Sequence, residues 1–335
     1  MTTVKDAASR FSTSRRTAVT RVTGTPEGVG GDPAARAPMW ARPHVVFLLI
    51  AYGFSWTLWI AGWIVADLTD AGDLLFNEDF VWRVGFVRDV AAPLLIATGI
   101  AFFAVYGPMI GGIIATALDP NIPKGSLRQR VRDVGVGGRE YALVLAVLLG
   151  VTLPALVITV ATGTRSADAP SSGQLIGFLV AFFALQLLTS GTEEIGWRGY
   201  LTEKLLPGRG FWDTGWLVGI VWAVWHLPVA TMIFLQQGMA PVQIAVSLVG
   251  FAMGIVAMAI LQAWFYKRTR SVFLSMVIHA AFNTLPLTLV LLWEGSPAAI
   301  LTNLLLWVVV TYLQSRSQAQ ANGNQPSQGA RAVQE

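Results

Sequence analysis

The sequence contains no cysteine, which excludes disulfide frameworks, thiolate zinc sites and a cysteine nucleophile. Charge is scarce as well. Asp, Glu, Lys and Arg make up 13% of the residues, about half of what a soluble domain carries. Histidine occurs only at His44, His226 and His279. What is abundant is apolar: 54% of the residues are hydrophobic and the mean hydropathy is +0.58. Several uninterrupted apolar runs reach the roughly 20 residues a helix needs to cross the hydrocarbon core. The expected fold is therefore all-α, a polytopic membrane bundle of about eight helices over 44–314, with spans at 44–66, 93–118, 141–162, 174–200, 216–236, 241–265, 271–293 and 298–314.

The flanks read differently. Residues 1–43 hold seven Lys or Arg against three acids and no apolar core, which predicts a disordered basic tail at an anionic lipid surface rather than a nucleic-acid arm. No apolar run comes early enough for a cleavable signal peptide. Residues 315–335 are polar and of low complexity, a second tail. Between the expected spans the connections alternate in charge. The segment 67–90 is acidic, 119–140 carries Lys124, Arg128, Arg130, Arg132 and Arg139, and "EKLLPGRGFWD" and "YKRTRS" are basic, whereas 163–173, "QQGMAP" and "EGSP" have almost no cation. Positive charge favours the inner side, so the reading is a multi-pass cell-membrane protein with both termini cytoplasmic.

Ionisable groups inside a span are costly and hence functional candidates. Here they are Glu193, Glu194 and Arg198 in the fourth span, His226 in the fifth and His279 in the seventh; His44 reads as an interface residue at the edge of the first. At 1.5 Å rise per residue all three sets lie roughly 13–17 Å from the basic ends of their helices. Helical phase then separates the glutamates. Glu194 and Arg198 form an i, i+4 pair, while Glu193 points about 100° away and is left for chemistry as a general base. His279 and Asn283 share a face, and Trp222 lies one turn before His226 and can wall it. Gln186, Gln243, Gln262 and Asn303 read as polar glue between helices. Pro228 and Pro286 read as kinks, and the pairs Gly107/Gly111 and Gly250/Gly254 as close packing within the bundle, with dimer contacts as the other reading. The residues alone leave two further classes open, a proton-coupled transporter with a Glu/His relay and a non-catalytic scaffold.

The segments "EEIGWRGYL", "WAVWHLP" and "HAAFN" together resemble the CPBP family, the CAAX-protease and bacteriocin-processing (Abi) intramembrane proteases. The pattern E-E-x-x-x-R falls on Glu193, Glu194 and Arg198. The aromatic-and-His segment falls on Trp222 and His226, and H-x-x-x-N on His279 and Asn283. The resemblance covers about residues 140–290, and Trp222 departs from it by standing where phenylalanine is commoner. It implies hydrolysis of a peptide bond in a membrane-embedded or lipidated substrate, with Glu193 and His226 activating water, His279 and Asn283 donating to the oxyanion, and Glu194 with Arg198 in support. It equally implies a Zn²⁺ held by His226, His279 and Glu193 as an alternative activator. An immunity or scaffold member of the same fold would lack the chemistry.

Overall fold

The structure, a computed structural model, describes residues 42–323. The tail expected over 1–43 lies almost wholly outside the described residues, as does the part of the second tail beyond 323. Helix α1 (Pro43–Leu68) begins on a proline, whose fixed φ suits a first turn and whose missing N–H costs nothing there. After it the chain doubles back through α2 (Asn77–Trp82) and a π turn at Arg83–Val87. Helices α3 (Ala92–Phe103) and α4 (Gly107–Leu118) join through a 3₁₀ turn into one span. The basic connection folds as α5 (Ser126–Arg132) before α6 (Gly138–Thr162). A two-residue strand β1 (Thr164–Arg165) pairs antiparallel with β2 (Trp293–Glu294).

The fourth span is composite. It runs through α7 (Ser172–Leu188), α8 (Ser190–Gly196), a π turn at Trp197–Thr202, α9 (Glu203–Leu205) and a closing 3₁₀ turn at Leu206–Gly208. The fifth is broken: α10 (Phe211–Trp225) and α11 (Leu227–Gln236) meet at His226 with a 52° bend. Pro228 is the second residue of α11, so it opens a new helix rather than kinking a continuous one. Helices α12 (Pro241–Thr269) and α13 (Val272–Leu292) are linked by Arg270, which is left-handed at φ 56°, and by Ser271, whose hydroxyl caps α13 by accepting from Leu274 N at 3.0 Å. Helix α14 (Ala298–Gly323) ends the described chain and continues through Ser315–Gly323, which the sequence reading assigned to the tail.

Seven helices are long and apolar enough to cross a membrane, and the bent pair α10–α11 makes eight. The outer faces carry Leu, Ile and Val: Leu68, Ile176, Val242 and Val157 are among the most exposed large side chains. Inside, an aromatic core of Phe47, Trp197, Tyr200, Trp222 and Trp225 wraps the charged residues. Glycine sets the closest approaches. A Cβ on Gly111 would lie 2.9 Å from Phe47 O, so this pair packs α4 on α1 within the bundle. A Cβ on Gly112 would lie 2.6 Å from the Cα of Gly196, so α4 presses directly on the helix that carries the two glutamates.

Candidate active site

The site begins where α7 stops. Thr189 takes φ −101° and ψ −89°, which ends the helix after Leu188, and its hydroxyl donates to Leu185 O at 2.8 Å. Helix α8 restarts at Ser190, presents Glu193 and Glu194, and passes at Gly196 into the π turn that holds Arg198. π turns are rare and concentrate at functional sites.

The two adjacent carboxylates keep different company. Glu193 Oε2 accepts from Trp222 Nε1 at 3.0 Å and from Trp197 Nε1 at 3.4 Å, and Oε1 has no hydrogen-bond partner among the described residues. Glu194 is surrounded by a guanidinium, an imidazole and an amide: Arg198 NH1 approaches Oε2 to 2.8 Å, His279 Nδ1 lies 2.8 Å from Oε1, and Gln262 Nε2 donates to Oε1 at 3.4 Å. The two side chains point apart, as helical phase requires, and meet different partners. Glu193 faces neutral donors and Glu194 faces charge.

Trp222 lies at the centre. The Arg198 guanidinium sits 4.5 Å above its ring, the His279 ring meets it edge-on at 5.0 Å, and the His226 ring is 5.7 Å away. Beyond the wall expected of it, it supplies an N–H to Glu193. His226 occupies the break between α10 and α11, where a helix-internal position would have fixed its ring differently. Its Nδ1 lies 3.0 Å from Trp222 O. A carbonyl only accepts, so Nδ1 carries the proton and Nε2 is left as an acceptor. Donors from α1 satisfy carbonyls near the break: Trp56 Nε1 donates to Trp225 O at 2.9 Å and the Tyr52 hydroxyl to Val221 O at 2.5 Å.

His279 and Asn283 stand on one face of α13 but have different partners. His279 Nδ1 stands at ion-pair distance from the Glu194 carboxylate, which favours a proton on Nδ1 and leaves Nε2 as the ring nitrogen outside this pair. Asn283 Nδ2 donates to Gln186 Oε1 at 3.1 Å. Two residues read from the sequence as glue, Gln186 and Gln262, therefore touch site residues, whereas Asn303 packs under Gly254 away from them. His44 is exposed at the start of α1 and takes no part.

Glu193, Glu194, Arg198 and His279 are exposed by 2%, 0%, 0% and 5%. Charges so deep must be balanced locally. With Glu194 ionised beside Arg198, two assignments leave the quartet neutral. Either Glu193 is ionised and His279 is an imidazolium, or Glu193 holds the proton and His279 is neutral. Moving one proton between base and imidazole converts the first into the second at no change in buried charge.

Among the described residues, no three His, Cys, Asp or Glu side chains stand together as a set able to hold a metal ion. His226, His279 and Glu193 thus do not close into the zinc trio that the resemblance implies.

Residues 175–285 match the family model described as Type II CAAX prenyl endopeptidase Rce1-like. A relative, the CAAX prenyl protease 2 of Methanococcus maripaludis, is 30% identical over 110 residues, which is 32% of this chain and 39% of that protein. The match thus spans well under half of the relative's length. The matched segment contains every residue of the three motifs, and the resemblance drawn from those motifs is borne out by both similarities. Residues 175–285 are thus similar to the Rce1-like members of the CPBP family, and the three motifs lie within them.

Proposed function

We propose that the protein is an intramembrane endopeptidase that hydrolyses a peptide bond in a prenylated, membrane-associated substrate. The observation that carries this reading is the unequal pair: Glu193 held by two indole N–H groups with one oxygen free, beside Glu194 committed to Arg198 and His279. Glu193 Oε1, with His226 Nε2 as the second acceptor, takes a proton from water as its oxygen attacks the scissile carbonyl carbon. Negative charge then gathers on the carbonyl oxygen. His279 Nε2–H and the second Nδ2–H of Asn283 are the donors that receive it, a task for which one donor contributes about 10²–10³ in rate. As the C–N bond breaks, the proton held by Glu193 passes to the leaving nitrogen, giving a carboxylic acid and an amine, and the acid's own proton then passes to the amine. Glu194 lets the imidazolium of His279 exist in a buried site.

No step runs through a metal. The relay of a proton-coupled transporter would need ionisable groups along a through-path. Among the described residues the fully buried ones are these four and Asp119, which Lys204 pairs at 2.6 Å at the basic end, and on the acidic side Glu78 is half-buried without an ion-pair partner.

The test uses purified protein in detergent or lipid with a prenylated peptide. Wild type cleaves it, and Glu193→Gln and His226→Ala reduce kcat/KM by at least about 10³, the scale of lost base catalysis and orientation. Full cleavage by Glu193→Gln overturns the reading. Activity that survives exhaustive chelation supports carboxylate chemistry, and loss restored by added Zn²⁺ supports the metal alternative.

A further inference from the structure

The connection between α1 and α3, expected as a plain acidic loop outside the hydrocarbon, reaches far into the bundle. Gln186 lies fourteen residues into α7, roughly 21 Å along the helix from Ser172 at 1.5 Å per residue. At that depth its Nε2 donates to Asn77 Oδ1 at 3.2 Å. Irregular backbone at such depth must find its partners within the protein, and it does: Leu75 N donates to Thr98 Oγ1 at 3.2 Å. Asn77 takes the left-handed conformation, φ 47°, which asparagine tolerates better than most side chains. Helix α2 is pinned on α7 by Trp82 and Phe86, whose rings lie 6.3 and 6.2 Å from that of Phe178, in a buried cluster with Val81 and Phe182.

Gln186 itself is fully buried and its amide has three partners from three segments. Oε1 accepts from Asn283 Nδ2 at 3.1 Å and from Ser190 Oγ at 2.8 Å, while Nε2 is held by Asn77. Both acceptor positions of the oxygen are therefore used. Asn283 brings the amide of the proposed oxyanion pair, and Ser190 is the first residue of the helix that carries Glu193. One carboxamide thus links the two halves of the site to the returning loop.

We infer that Gln186, anchored by Asn77, is a positioning residue for the reaction. The terminal torsion of an asparagine is broad. By taking one N–H of Asn283, Gln186 fixes that torsion, and the second N–H points where the oxyanion forms. Donors help catalysis when they are aimed before the charge appears. This inference rests on the endopeptidase reading, because it assigns Gln186 a part only through Asn283.

The experiment measures kcat and KM on the prenylated peptide for Gln186→Leu, Gln186→Glu and Asn77→Ala, with thermal unfolding of each and Glu193→Gln as control. Gln186→Leu removes the acceptor, and kcat falls about tenfold, the value of one well-formed hydrogen bond, with KM unchanged. Gln186→Glu keeps an acceptor toward Asn283 and Ser190 and recovers most of the loss. Asn77→Ala lowers kcat in the same sense but by less. Wild-type kcat in Gln186→Leu overturns the inference, as does a loss that appears in KM alone. If Gln186→Leu does not fold, an unchanged kcat in Asn77→Ala or a complete loss in a folded Gln186→Glu overturns it. Cleavage by Glu193→Gln would instead refute the endopeptidase reading. A dead Glu193→Gln beside a wild-type Gln186→Leu refutes this inference alone.

Discussion

A tryptophan at position 222 does what a phenylalanine there could not. Both would place an aromatic wall between Arg198, His279 and His226, but only the indole has an N–H for Glu193 Oε2. Hydrogen bonds to a charged partner contribute about 1.5–3 kcal/mol. Trp222→Phe keeps the ring stacked beneath the guanidinium and removes that bond alone. The expected outcome is a fall of about 10–100-fold in kcat/KM, the same energy read as a rate, with a melting temperature close to wild type. Steady-state kinetics beside thermal unfolding in the same detergent check it; unchanged kinetics would show that Trp197 suffices. Little of this was legible from residue type. Carboxylates and imidazoles stood out because so few lie in the spans, whereas the chain has 13 tryptophans and nothing in the sequence marks two of them as donors. Gln186 and Gln262 were obscured for the same reason, since amides are ordinary glue between membrane helices. The separation of Glu193 from Glu194 was legible, because adjacent positions on a helix must face different ways.

The helices themselves followed from hydropathy, since in lipid a spanning segment has to satisfy its own backbone. The expected spans 44–66, 93–118, 141–162 and 241–265 are each present with ends moved by a few residues. The interruptions were not legible. An ideal phase of 100° per residue cannot anticipate a stop at Thr189, a π turn at Trp197–Thr202 or a fresh helix at Leu227, each of which depends on what the neighbouring helix offers. Nor did the acidic composition of 67–90 reveal that part of it would dive inward. That dive has a pH consequence. Burial, with Asp79 adding to it, pushes the Glu78 carboxyl on α2 up to about 8 from an ordinary 4.5. Between those values the docked helix holds a proton that the released segment gives up. Docking is therefore strongest at the low end of this window and is lost progressively as pH rises through the upper value. Hydrogen exchange over 69–91 checks it: the segment exchanges faster at about pH 9 than at about pH 6, beyond the intrinsic rate change, and Glu78→Gln abolishes the difference. An equal pH response in the variant would remove Glu78 as the cause.

Taken as a whole, the molecule has two ends of unlike charge, and the difference leads to an expectation about which one faces the cytoplasm. At one end, ion pairs join connections that are distant in sequence. Arg270 meets Glu203 at 2.7 Å, Arg130 lies 3.7 Å from the same carboxylate, Arg268 meets Glu140 at 2.6 Å and Lys204 meets Asp119 at 2.6 Å. Arg130 also donates to Gly199 O at 2.9 Å, which ties α5 to the π turn beside the site. Such partly exposed pairs contribute about 0–1 kcal/mol each, so their value here is geometric: they gather the cations of three connections at one end. The other end holds Asp67, Asp70 and Asp73 around a cavity of about 350 Å³. Because cation-rich connections stay on the inner side, we expect the basic end to face the cytoplasm. The absence of cysteine makes this directly measurable, since any single introduced thiol is the only one in the chain. Asp73 and Arg128 are exposed at opposite ends. In intact cells a membrane-impermeant maleimide should modify Asp73→Cys and leave Arg128→Cys untouched until the membrane is permeabilised. The reverse pattern would invert the protein in the bilayer. Labelling of both variants in intact cells would instead break the link between charge and side on which this orientation depends.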